Sequence, residues 1–438
     1  MQVNGGKIER IELFHIEVPL PTPLFPVWIP GYPQYKQCAT LLAVTTKDGL
    51  TGYASAPAFD RERNSLGEFI GKFLLGLDPY DLDLVRERIR QAAYLGWRNS
   101  WMDLAFWDLA AQARGIPLHA LIAERLGAPE RDVEARVPVY ASFPELRPPR
   151  VRAEAVERAQ SLGFAGVKIA VHSSRESDDF EQVAMSRKVA GDDLAIMVHA
   201  RQAWSVSLVE ESPRWDLDRA RRFAGVAETC NVRWLQEPLH DEAWEALAQL
   251  GAATRMPIAG GDMSFGFAAL DALTRAQCYQ ILTPDVAFFG LGNQVRTMKS
   301  CLDRKLSFAP SSNSDGIGLV ANLHALAAWR RFSEDEHAVL EFPWEPPAMI
   351  PEYRDALLER PLHIAKDSTL AVPTEPGLGV AIDPAALKRY GERFYHVTPV
   401  RFAVKVARSG GLRTTHEAVG KRPRRRPEST VRDKSRLG

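Results

Sequence analysis

The pattern of apolar and polar positions changes rhythm once along the chain. Over the first 135 residues, alternating runs come first and helical ones follow. Residues 8–18 alternate as a strand that is expected to close at the proline-rich stretch 19–33. Residues 41–46 and 51–55 alternate around Lys47-Asp48-Gly49, the signature of a β-hairpin. Two helical patterns follow at 81–93 and 100–114, the second stopped by Gly115-Ile116-Pro117. This is an α+β domain over 1–135.

From residue 137 short β-branched runs alternate with amphipathic stretches: VPVYAS, GVKIAV, LAIMVHA, VRWLQEP, MPIAGGD, YQILTPD, LSFAPSS and AVLEFP. Their polar ends fall at Tyr140, Lys168, His199, Glu237, Asp262, Asp285, Ser311 and Glu341. Eight strands spaced by helices predict an α/β fold, a parallel (β/α)8 TIM-type barrel over 136–365. A doubly wound sheet is the alternative. The barrel would gather all eight ends on the face where barrel active sites are built. Residues 366–400, with 370–383 in the lead, are expected to return to the N-terminal domain, which would cap the barrel.

Composition changes this picture little. The chain has 438 residues, with 55 Lys and Arg against 55 Asp and Glu. Residues 401–438 hold twelve of those bases and three of the acids, so the preceding 400 are net acidic. That argues against a nucleic-acid partner for the folded part. The basic tail itself is expected to be disordered and solvated. No apolar run is long enough to cross a membrane, and Cys38, Cys230, Cys278 and Cys301 lack disulfide or metal spacing. A cytoplasmic protein is the expectation.

One loop is unusually aromatic. Phe25, Trp28, Tyr32 and Tyr35 lie within eleven residues, as a packed cover or as a lid selecting an apolar substrate. Trp28 is a candidate substrate contact.

The stretches WMDLAFWDLAAQARGIPLHAL, GFAGVKIAV, WLQEPL, MPIAGGD, GIGLVANLHALAA and VPTEPGLGVAID occur in that order. Together they resemble the enolase superfamily, in its mandelate racemase/muconate lactonizing enzyme group. The resemblance implies a modified eight-stranded barrel under an α+β cap, a small carboxylate substrate and a homo-oligomer. It also implies abstraction of the proton α to that carboxylate, with the enediolate held by a divalent cation, by custom magnesium.

Carried over residue by residue, the resemblance makes Glu237 and Asp262 metal carboxylates, Asp262 standing where the group usually has Glu. Asp285 matches the Asp that orients a histidine, and Glu341 a carboxyl that meets the substrate carboxylate. Three further stretches depart from the pattern. Lys168-Ile169-Ala170 keeps the first lysine of a Lys-x-Lys pair and loses the second. His199-Ala200-Arg201 replaces Asp-x-Asn, and Ser311 stands where a catalytic histidine belongs.

A His199, Glu237 and Asp262 set suits manganese, iron or zinc better than magnesium. Alternatively Arg201 is itself the cation, satisfying both carboxylates or a substrate carboxylate, and no metal is needed. Lys168 is the leading base, because burial beside a cation lowers a lysine toward neutrality. His199 is the second candidate, while Tyr140 and His172 are weaker ones. Tyr140 and Ser311 are also candidate substrate contacts, with no triad expected at Ser311. The expected activity is that of a lyase or isomerase acting α to a carboxylate. Dehydration is favoured over racemisation, which needs two opposed bases. A catalytically silent carboxylate-binding barrel and a conventional magnesium-dependent acid-sugar dehydratase are the alternatives.

Overall fold

The computed structural model describes residues 6–96, 98–127 and 136–408; of the tail expected to be disordered, residues 401–408 continue a helix that starts at 399, and the part from 409 onward lies outside the described residues. Strands β1 (Ile8–Leu24), β2 (Gln34–Thr46) and β3 (Thr51–Pro57) form an antiparallel sheet with the late strand Gly391–Val397 beside β1. β1 outruns its expected end. The late strand pairs with it only from Ile11 to Ile16, so beyond that point β1 is an edge. Pro19, Pro21 and Pro23 therefore cost no ladder hydrogen bond on that side. In the predicted hairpin the Thr46 amide donates to the Leu50 carbonyl at 2.9 Å, and Gly49 takes the left-handed turn at φ 90°.

Helices α1 (Gly67–Leu74), α2 (Leu82–Ala93), α3 (Asp103–Ala113) and α4 (Leu118–Leu126) complete the cap. α2 starts as its sequence suggests: the Asp81 carboxylate accepts from the Leu84 amide at 3.2 Å. The helix expected at 100–114 begins with a tight turn at Ser100–Met102 before α3.

The barrel strands are β4 (Arg136–Ser142), β5 (Gly166–Ala170), β6 (Ala195–His199), β7 (Val232–Gln236), β8 (Ile258–Gly260), β9 (Ile281–Leu282), β10 (Ser307–Phe308) and β11 (Leu340–Pro343). All pair in parallel in the order β10-β9-β8-β7-β6-β5-β4-β11. The last strand returns to the first, which a doubly wound sheet does not do. Between β10 and β11 the described residues show no ladder, and a side chain spans that seam instead: the Ser312 amide donates to Glu341 Oε2 at 3.1 Å.

Outer helices follow the strands: α5 (Pro149–Ser161), α6 (Glu176–Ala190), α7 (Leu217–Thr229), α8 (Trp244–Ala253), α9 (Phe267–Arg275), α10 (Val286–Phe289), α11 (Leu291–Arg304) and α12 (Gly316–Trp329). Inside the barrel, Tyr140, Met197, Trp234, Ala259, Ile281 and Ala309 form an apolar plug. Side chains two residues further along four of these strands come next: Ser142, His199, Gln236 and Ser311. A polar tier thus rests on an apolar floor.

Cap and barrel are pinned together by buried aspartates. Asp103 accepts the amides of Leu291 and Gly292, both at 2.8 Å, at the start of α11. Asp315, which caps α12, accepts from Ser55 Oγ at 2.6 Å. α12 is apolar on every side and buried throughout, as a helix wedged between two units must be. The C-terminal segment serves both units. β12 (Thr369–Ala371) pairs with β4 of the barrel, the Leu118 amide meets the Gly377 carbonyl at 2.8 Å, and β13 (Gly391–Val397) joins the cap sheet. So the return expected over 370–383 begins on the barrel, and the sheet contact with the cap comes later. Among the described residues no helix is long and apolar enough to cross a membrane.

Candidate active site

Lys168 and Glu341 meet at the centre of the polar tier. Lys168 Nζ lies 2.8 Å from Glu341 Oε2 and donates to Gln236 Oε1 at 3.0 Å. Glu341 also accepts from Ser142 Oγ at 2.5 Å and from the Ser312 amide at 3.1 Å. Burial pushes the Lys168 ammonium below its ordinary value, against the pull of Glu341. Burial alone would raise Glu341, but the Lys168 ammonium, with the Ser142 hydroxyl and the Arg201 charge, outweighs it and holds the carboxyl below the usual range. Gln236 extends the network, donating from Nε2 to Ser311 Oγ at 3.3 Å.

A second group occupies the ends of β6, β7 and the loop after β8. His199 Nε2 lies 3.0 Å from Glu237 Oε2, and donor atoms of His199, Glu237 and Asp262 all fall within 4.8 Å of one another. All three side chains are buried. Burial and the Asp262 carboxylate together push Glu237 well above the carboxylate range, and burial pushes His199 well below its own. Asp262 Oδ2 and His199 Nδ1 are buried without a hydrogen-bond partner among the described residues. Two repelling carboxyls and a neutral imidazole, with one oxygen unsatisfied, fit a divalent cation. A further group in the cap, His15, Glu17 and Cys38, fits poorly, because the Lys36 ammonium already holds Glu17 at 2.5 Å and burial raises the thiol to about 11.

Two residues in the left-handed region aim side chains here. Glu237 at φ 50° follows Gln236, and Arg201 at φ 55° follows β6 by two residues. Strand alternation would send Gln236 and Glu237 to opposite faces. The left-handed turn lets both reach the site. Arg201 is 3% exposed, its Nε has no partner, and among the described residues it forms no ion pair with Glu237, Asp262 or any other carboxylate. The guanidinium instead lines a cavity of about 600 Å³ between cap and barrel, shared with Trp28, Trp204, Ser312 and Glu341.

Residues 150–386 match the enolase C-terminal domain-like family, and residues 10–123 match the mandelate racemase/muconate lactonizing enzyme N-terminal domain. The chain belongs to the mandelate racemase/muconate lactonizing enzyme family. It is 24% identical to an arabinonate dehydratase of Saccharolobus solfataricus over 83% of this chain and 93% of that one. It is 27% identical to an L-talarate/galactarate dehydratase of Salmonella typhimurium over 66% of this chain and 71% of that one. A structure of that dehydratase liganded with Mg and L-lyxarohydroxamate has a TM-score of 0.73 at 23% identity, covering 90% of this chain and 95% of the other.

In this mandelate racemase/muconate lactonizing enzyme family barrel, the other predicted residues take varied places. Trp28 lines the cavity. Ser311 is buried and meets Gln236, while its neighbour Ser312 lines the cavity. Tyr140 belongs to the plug, with Lys168 Nζ 5.5 Å over its ring, and burial raises its phenol far above the ordinary value. Asp285 holds backbone: it accepts from the Ala287 amide at 3.1 Å, the Asn313 amide at 2.7 Å and Asn322 Nδ2 at 3.1 Å, with burial raising it to about 7. No histidine is bonded to it among the described residues. His172 is held between Ala200 O at 3.1 Å and Ser212 Oγ at 2.6 Å, and burial lowers it to about 4.

Sequence reasoning missed Gln236, Ser142, Ser312 and Trp204. Period-two alternation from Tyr140 and Trp234 pointed at Ser142 and Gln236. Nothing local marked Trp204, whose Nε1 donates to Asp262 Oδ1 at 3.4 Å.

Proposed function

We propose that this chain is an enzyme of the lyase/isomerase class that removes the proton α to a carboxylate, as a hydroxy-acid dehydratase. The observation that carries the reading is the buried Lys168–Glu341 pair behind a cavity that an unpaired guanidinium, Arg201, also lines. Glu341 faces the cavity, and Lys168 lies one hydrogen bond behind it. Arg201 binds the substrate carboxylate and neutralises the charge that grows on its oxygens.

In the reactive state Glu341 is a carboxylate and Lys168 a neutral amine. The Cα–H bond breaks and its electron pair moves into the enediolate. The proton goes to Glu341 Oε2 and across 2.8 Å to Lys168 Nζ, leaving the carboxylate–ammonium pair. The pair therefore has the base strength of a lysine weakened by burial. The enediolate electron pair then expels the β-hydroxyl, which leaves as water with the proton returned from Lys168 through Glu341, so the pair is again carboxylate and neutral amine. Ser311, where a second base would stand, is a hydroxyl bonded to Gln236 and offers none, which favours elimination over racemisation. Dehydratase activity in the two relatives above supports the same choice.

His199, Glu237 and Asp262 would hold a divalent cation, which would supply Lewis-acid stabilisation of the oxyanion. The site is atypical in its histidine ligand and in its single acid/base pair. The test is α-proton exchange in D2O, read by NMR over a panel of hydroxy and aryl carboxylic acids, in EDTA and then with Mg2+, Mn2+ or Zn2+. Exchange lost in Arg201→Ala and Lys168→Ala supports the reading. Exchange unaffected by both changes overturns it.

A further inference from the structure

The cavity above the Lys168–Glu341 pair has an aromatic wall, with Gln34, Lys36, Gln37, Glu62 and Asn313 elsewhere in its lining. Trp204 is fixed at the inner end by its hydrogen bond to Asp262. Its ring centroid lies 5.7 Å from that of Trp28, Trp28 lies 6.3 Å from Phe59, and Phe59 lies 5.0 Å from Tyr32. Four rings thus run in series from the carboxylate cluster to the cavity mouth, one from the barrel and three from the cap. Phe288 and Met349 add apolar surface to the same cavity.

This wall is built, not draped. The Val206 amide donates to the Trp28 carbonyl at 3.0 Å and the Glu210 amide to the Pro30 carbonyl at 3.3 Å. The Val27 amide donates to the Pro144 carbonyl at 2.9 Å. The cap loop and two barrel loops are therefore joined through their backbones, and the ring series needs no substrate to assemble it. Such preorganisation lowers the ordering cost of binding a flat apolar group.

We infer that the substrate is a carboxylic acid whose body is extended, flat and apolar, lying along Trp204, Trp28, Phe59 and Tyr32. The inference rests on the proposed function for its carboxylate head and its α-carbon. A sugar acid carries a hydroxyl on every carbon beyond the head, and each would need a partner in place of water. Along its own wall of the cavity the ring series offers faces instead. A cavity of about 600 Å³ is of a size that takes a drug-sized ligand, well beyond a short hydroxy acid. Trp28 and Trp204 set this specificity from two different units of the fold.

The test uses the full-length protein and two probes with the same 2-hydroxycarboxylate head: 2-hydroxy-3-(1-naphthyl)propanoate and D-gluconate. Calorimetry should show the naphthyl acid binding at least ~100-fold more tightly. Trp28→Ala should weaken the naphthyl acid at least ~10-fold and leave gluconate within about twofold, with an unchanged far-UV spectrum. Trp204→Phe, which keeps a ring and loses the bond to Asp262, should retain the naphthyl preference. Equal affinities, equal weakening of both probes by Trp28→Ala, or no binding of the naphthyl acid would overturn the inference. Naphthyl binding without α-proton exchange would sink the proposed chemistry and leave the substrate class standing. Exchange on gluconate alone would do the reverse.

Discussion

Lys168 Nζ and Glu341 Oε2 lie 2.8 Å apart, an ion pair between the second and the last strand of the barrel with both side chains buried. Its two members answer burial differently: the lysine falls from its ordinary value, and the glutamate is held down by its partner. Breaking such a pair leaves one buried charge, a loss of roughly 3–5 kcal/mol. Lys168→Met is expected to lower the unfolding free energy by about that much and to abolish α-proton exchange. Glu341→Gln should lose exchange at least ~100-fold although Lys168 remains. Denaturant unfolding and NMR exchange together check both.

The pH profile follows from Gln236. Exchange requires neutral Lys168, so the rate should rise with pH on a limb whose midpoint lies below 10.5, because burial lowers the lysine. Gln236 Oε1 accepts from the ammonium and so favours the charged form. Gln236→Met should therefore move the limb to lower pH, by about half a unit. A shift to higher pH would refute the proton assignment.

Among the described residues Arg201 makes no ion pair, so no direct salt bridge is lost when its charge is removed. Arg201→Met should leave thermal stability unchanged or raised, while the KM for a carboxylate substrate rises roughly 10- to 100-fold. A marked fall in melting temperature would mean that the guanidinium is structural.

Metal binding should tighten with pH. Glu237 is pushed up by burial and by Asp262, so at lower pH a proton occupies the carboxyl pair and competes with the cation. Titration of metal-free protein with Mn2+ or Zn2+, followed by melting temperature at pH 6 and pH 8, should show the larger increase at pH 8. Asp262→Asn and His199→Ala should remove the increase.

His119 and His324 join α4 to α12: their Nδ1 atoms lie 3.2 Å apart, and burial lowers them to about 4 and about 3. The unfolded chain binds these protons first, so their contribution is full above pH 6.5 and is lost as pH falls toward those values. Each can contribute up to roughly 1.4 kcal/mol per pH unit over that window. In His119→Gln/His324→Gln the slope of stability against pH between 6.5 and 4 should flatten, whatever the absolute cost of the change.

The sequence by itself determined the eight barrel strands, since each apolar run ended where its strand ends or within a few residues of it. It determined the grouping of His199, Glu237 and Asp262 too, because adjacent parallel strands bring their ends together once the barrel is granted. Only the tertiary structure decided that Lys168 meets Glu341, 173 positions away in the chain, through closure of β11 onto β4. It alone decided that Arg201 turns to the cavity rather than to Glu237, and that Trp204 joins Trp28. Alternation fixes which face of a strand a side chain takes. It says nothing of which strand closes the ring, which loop meets the cap, or where a left-handed residue such as Glu237 overrides the alternation.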